Sequence, residues 1–160
     1  QAKRRLDVWA RVTTIREAVR AVLLLFEESA PDDELELRLV RALDRLVVAV
    51  HDVRFEFDDA EYADAPQFAY GAARALVTSR FPEFGPYSVP ASMRPTNTEV
   101  MLGDAVDDLA DLIIELRAVE WCFEHTSEAD ALWHLENGFR THWAAHVRWL
   151  QVFLLERQLR

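Results

Sequence analysis

Two histidines, His142 and His146, lie four residues apart towards the end of the chain. Upstream of them Asp104, Asp108, Asp111 and Glu115 recur at spacings of four, three and four. Spacings of three and four bring side chains to one face of an α-helix. Imidazoles one helical turn apart can grip a single metal ion. Two histidines do not fill a coordination sphere, so carboxylates from another helix would have to join them. The candidate metal set is therefore His142 and His146 with Asp108, Asp111 and Glu115. Two familiar signatures are missing. Trp143 follows His142, so there is no His-Glu-x-x-His, and no Glu plus Glu-x-x-His pattern repeats as it does in di-metal bundles.

Plainer readings stand beside that one. On a helical wheel the two histidines fall among Leu135, Phe139, Leu150, Phe153 and Leu154. This predicts partly buried rings, each with a nitrogen bonded to an Asp or Glu of another helix, to Tyr87 or to a backbone carbonyl. The four acids fall almost opposite Leu109, Ile113, Leu116 and Phe123, which predicts a stripe facing water. Arginines or a cation would be the other ways to balance such like charges. General acid/base chemistry at the imidazoles is a further reading. His134 lies nearer the edge of the apolar arc, while His51 and His125 sit at helix ends, where the dipole favours them. Cys122, between Trp121 and Phe123, reads as a core residue. No Cys-x-x-Cys pair, glycine-rich nucleotide loop or Gly-x-Ser-x-Gly elbow occurs.

The elements that must position these groups are helices. Trp9, Val12, Val19, Val22, Leu23 and Phe26 give residues 3–28 a helical period, which Pro31 breaks. Asp32 or Asp33 is expected to cap a second helix, which carries Leu35, Leu39, Leu43, Leu46, Val47 and Val50 inward and ends near His51. Its short connection to the first helix predicts antiparallel pairing. Residues 53–62 alternate apolar and charged and read as an extended connector whose aromatics plug the core. A third helix is expected over residues 66–79, with Phe68, Ala72, Ala73, Leu76 and Val77 buried. Residues 81–98 hold Pro82, Gly85, Pro86, Pro90 and Pro95. They read as one long ordered loop, anchored by Phe81, Phe84, Tyr87, Val89 and Met93, that serves as a lid, a groove wall or a cap over the helices. A fourth helix starts at Glu99 or Asp104 and runs to Glu124; a last helical region covers 128–158, with Gly138 marking a bend or break. The fold class is thus all-α, a four to five helix antiparallel bundle-like array in a single domain over 1–160, with no sheet of consequence.

Composition narrows the partners. A chain of 160 residues that is 51% hydrophobic can bury a real core. Its net charge of -10 and its scattered arginines argue against nucleic acid and anionic membranes. The apolar run over residues 21–26 is far too short to span a bilayer. A single cysteine precludes an intrachain disulfide and suits a cytoplasmic protein.

Several stretches resemble DUF5063, a family of uncharacterised bacterial helical proteins. They are Pro82-Glu83-Phe84-Gly85-Pro86-Tyr87, Asp107-Asp108-Leu109-Ala110-Asp111-Leu112, Ala131-Leu132-Trp133, and Phe139-Arg140-Thr141-His142-Trp143-Ala144-Ala145-His146. The likeness covers about half of the chain. The family's Gly after His-Trp and Tyr after the acidic run are Ala144 and Ile113 here. The resemblance implies a small all-helical protein and brings no catalytic residues with it. With no catalytic signature, the sequence points first to a non-enzymatic binding or scaffold protein without a cofactor, often a homodimer. The alternative is a metal-dependent or acid/base enzyme centred on His142 and His146.

Overall fold

The computed structural model describes the chain except residues 1, 29–32, 55, 92–97 and 160; of residues 2–13 it describes the helix but not the side chains. The first two elements are α1 (Ala2–Glu27) and α2 (Leu35–Asp52), which pack together. Their strict helical period accounts for the pairing, since Val19, Val22, Leu23 and Phe26 are buried along with Leu39, Leu43, Leu46 and Val47. α2 starts after Glu34, whose side chain makes no capping bond; Asp33 does not cap it, and Asp32 lies outside the described residues. The described part of the 53–62 segment is irregular, and its described aromatics, Phe57 and Tyr62, do not plug the core. Phe57 is 84% exposed, Phe55 lies outside the described residues, and only Val53 is buried. The charged residues around Phe57 gain water by this arrangement, and no neighbouring strand covers the segment.

The third helix, α3 (Tyr70–Arg80), begins later than its periodicity suggests, leaving Pro66 and Phe68 in the preceding irregular chain. It buries Ala73 and Val77, while Ala72 is exposed. Within the expected long loop, residues 86–90 form a strand that pairs with a second strand just beyond it, while residues 92–97 lie outside the described residues. β1 (Pro86–Pro90) pairs antiparallel with β2 (Val100–Asp104), with Tyr87 opposite Gly103. Proline at both ends of β1 hid the strand from sequence reading. In a two-stranded ribbon every strand has a free edge, and there proline is tolerated. Phe81, Phe84 and Val89 are buried as anchors; Met93 lies outside the described residues.

α4 (Ala105–His125) packs against α1, α3 and the hairpin, and also against the helical region that follows. Its buried residues, among them Val106, Asp108, Leu109, Leu112, Ile113 and Leu116, run round most of its circumference, which marks a central helix. Thr126 ends it, and Ser127 caps α5 (Glu128–Gly138) by accepting a bond from the Asp130 amide. α5 continues through one turn of π-helix, Phe139–Trp143, into α6 (Ala144–Gln158), so the irregularity expected at Gly138 is a π turn and not a break. Arg157 of α6 clamps Glu36 of α2, with Nη2 2.6 Å from Oε1. The described residues thus form a predominantly helical, bundle-like array with one small ribbon. No helix among them is long and apolar enough to cross a membrane.

Candidate functional site

The site begins at the start of α4. Asp104 Oδ1 accepts from the Val106 amide at 2.9 Å and so caps the helix, while Oδ2 lies 3.2 Å from an Arg74 nitrogen. Of the acids beyond it, Asp111 and Glu115 are partly exposed, but Asp108 does not face water as the wheel suggested. Asp108 is only 6% exposed, because α4 is covered on several sides and the face opposite its apolar stripe meets the α5–α6 helix.

Asp108 is held by two donors. Tyr87 Oη donates to Oδ2, and His146 Nδ1 lies 2.5 Å from Oδ1. Tyr87 reaches it by lying over the opposite strand at Gly103, where an added Cβ would come within 2.8 Å of Tyr87 Cζ. Burial, then the bond to Asp108, pushes the Tyr87 hydroxyl far above its ordinary range, so it stays a donor. The bond to Asp108 raises the His146 pKa; burial opposes this, and the charges of Asp108 and Asp111 add to the rise.

His142 repeats the arrangement one turn earlier. Its Nδ1 lies 2.9 Å from Glu115 Oε1, and its Nε2 lies 3.8 Å from Asp111 Oδ2. The two rings meet edge to face with centroids 5.2 Å apart. One donor atom each from Asp111, His142 and His146 lies within 4.8 Å of the others. Around one ion with bonds of about 2.0–2.2 Å, such atoms sit about 3–3.5 Å apart. A closure of about an ångström by side chains at a solvent-facing site would bring them there.

The π turn sets this geometry. The Ala144 N–H reaches back five residues to the Phe139 carbonyl, one residue further than in an α-helix. The extra residue rotates His142 out of the apolar arc in which a regular helix would place it. Its side chain is 42% exposed, and that of His146 is part-buried. The expectation of partly buried rings therefore holds for His146 and is corrected for His142, whereas the expectation of a carboxylate partner for each is met. Gly138 leaves room beside the turn. A Cβ there would stand 2.8 Å from Glu115 Oε2 and 3.0 Å from Nε1 of the fully buried Trp143. That indole nitrogen has no hydrogen-bond partner among the described residues.

All five residues of the candidate set come together, but in two roles. Asp108 and Glu115 hold the Nδ1 atoms, and Asp111 stands beside both rings. Tyr87 belongs to the site as the partner of Asp108 and not of a histidine. Neither of the two principal surface cavities borders the histidines. Among the described residues no serine or threonine hydroxyl is bonded to either imidazole, so no nucleophile–base pair is assembled. No family model, curated protein or solved structure matches the chain.

Proposed function

We propose that this protein binds a divalent first-row transition metal through His142, His146 and Asp111. The observation that carries the reading is the disposition of the ring nitrogens. A carboxylate occupies Nδ1 of each imidazole, which leaves Nε2 for an ion; Nε2 of His142 lies 3.8 Å from Asp111, which also has an oxygen within 4.8 Å of a His146 nitrogen. Metal-binding histidines are commonly fixed in this way, by a carboxylate on the nitrogen that does not touch the ion. Two imidazoles and a carboxylate suit zinc, iron, nickel or manganese, and leave positions open on the solvent side. When bound, the ion would supply Lewis acidity there. The protein's own part is to orient three ligands through Asp108, Glu115 and Tyr87. The chemistry suits a cytoplasmic setting, where the lone thiol stays reduced.

The test is isothermal titration with Zn2+, Ni2+ and Mn2+ on the Cys122→Ser chain, with elemental analysis of protein purified without chelator. One ion per chain is expected, lost in Asp111→Ala and in His146→Ala. No bound metal and no thermal shift with any of these ions would refute the reading.

A second reading, a scaffold that self-associates, rests on apolar surface. Val100, Met101 and Leu102 are exposed in succession on β2, and Val152 and Leu155 line a groove of about 480 Å³ between α2 and α6. Light scattering decides it, a monomer mass at high concentration removing the homodimer.

A further inference from the structure

α4 and α5 bring the chain's one thiol close to a second histidine–carboxylate pair, made of residues that the first site does not use. Asp130 and His134 stand one turn apart on α5, with His134 Nε2 3.7 Å from Asp130 Oδ1. Cys122 projects from the end of α4, and one donor atom from each of the three lies within 4.8 Å of the others. An Asp–His pair at this spacing is by itself an ordinary surface contact. The sulfur beside it makes the cluster more than that, because it adds a third donor of a kind that zinc-class ions accept.

The three groups are held from both helices. The Thr126 N–H and hydroxyl both donate to the Cys122 carbonyl at 2.8 Å, which fixes the last turn of α4. Ser127 caps α5 through the Asp130 amide and in turn donates to Asp58. Trp133 packs edge-on against His134, with ring centroids 4.9 Å apart. Exposure rises from the buried Cys122 through Asp130 to His134, so the cluster opens outward.

The geometry points to a binding site for a zinc-class divalent ion formed by Cys122 Sγ, Asp130 and His134. On binding, the Cys122 S–H bond breaks, its proton goes to water, and the sulfur–metal bond forms. His134 contributes a nitrogen lone pair, Asp130 one carboxylate oxygen, and water the fourth position. A thiolate and a carboxylate together neutralise the double charge of the ion, which lets it lie against the core. Mixed sulfur, nitrogen and oxygen donors in a tetrahedral set are what zinc accepts. This site does not depend on metal binding at His142 and His146.

Co2+ is the probe, titrated into the full chain with Cys122 reduced. A thiolate-to-cobalt charge-transfer band in the near ultraviolet is expected, and no imidazole–carboxylate site can produce it. Cys122→Ser should abolish the band, and His134→Ala should weaken Co2+ binding by at least about 10-fold. The double variant His142→Ala, His146→Ala should keep it. As a check independent of variant folding, Zn2+ should slow alkylation of Cys122 in the unaltered chain. The proposal is overturned if the unaltered chain gives no band and no protection, or if His134→Ala and Asp130→Asn both bind Co2+ as the parent does.

Discussion

Replacing Asp108 by alanine tests whether the carboxylate–imidazole network is built into the fold. Asp108 accepts from Tyr87 and from His146 while almost fully buried. Hydrogen bonds to a charged group contribute about 1.5–3 kcal/mol each. The His146 side chain is a third exposed, so its bond belongs at the low end of that range. Against the sum stands the desolvation of a single buried carboxylate, which removal relieves. The orphaned, part-buried Tyr87 hydroxyl then costs about 1–3 kcal/mol more. The net expectation is a loss of about 2–4 kcal/mol. Tyr87→Phe alone should cost about 1–2 kcal/mol, but in the Asp108→Ala background, where the hydroxyl is orphaned, it should restore about 1–3 kcal/mol. Urea melts at neutral pH with chelator, followed by circular dichroism, measure all four corners of the cycle. Losses that add without coupling, or an Asp108→Ala cost under about 0.5 kcal/mol, would show that the network does not hold the hairpin to α4.

With chelator present, stability should also depend on pH through His146. Its folded pKa is raised, so the stabilisation is complete below its unfolded value near 6.5 and is lost as pH rises through the folded value. The urea midpoint should therefore fall from about pH 6 to about pH 9, and fall less in Asp108→Asn. Gly103→Ala drives a Cβ into the Tyr87 ring and should destabilise by about 1–3 kcal/mol, partly rescued by Tyr87→Ala in the same melts. Gly138→Ala crowds Glu115 Oε2 and the fully buried Trp143 indole, so it should destabilise by about 1–3 kcal/mol and lower Zn2+ affinity, read by calorimetry, about 10-fold. Asp104→Ala should cost about 1 kcal/mol as a lost cap, against about 2–5 kcal/mol for Leu150→Ala in the fully buried core; equal losses in denaturant would contradict both assignments.

The helices were legible because Leu39, Leu43, Leu46 and Val50, or Leu109, Ile113 and Leu116, repeat at a period only a helix turns to one side. Less legible was which side of α4 meets water. A wheel finds the apolar stripe and assigns the opposite side to solvent, a sound inference for a helix with one neighbour. α4 has neighbours on several sides, so Asp108 of the acidic stripe turns inward to α5–α6 and is buried with partners of its own. Nothing local in the Asp107-Asp108-Leu109 stretch records that. The hairpin escaped notice for a different reason: Pro86 and Pro90 are loop signals in sequence, and only the free edge of a two-stranded ribbon accommodates them.

The histidine phase shows how one irregular turn separates a core from a site. In a straight helix His142 would share the arc of Leu135, Phe139 and Leu150, and its ring would compete with core packing. The π turn begins directly after Gly138 and advances the chain by one residue before α6 resumes. Phe139 and Trp143 keep the core, and His142 is delivered to the rim, 2.9 Å from Glu115. π turns of this kind recur where a helix must present a functional side chain that its regular phase would bury. The buried Trp143 indole nitrogen in this turn has no hydrogen-bond partner among the described residues, a cost of about 1–3 kcal/mol. The turn sets both rings with carboxylates on Nδ1 and Asp111 beside them, and this ties the irregular turn to the metal-binding reading.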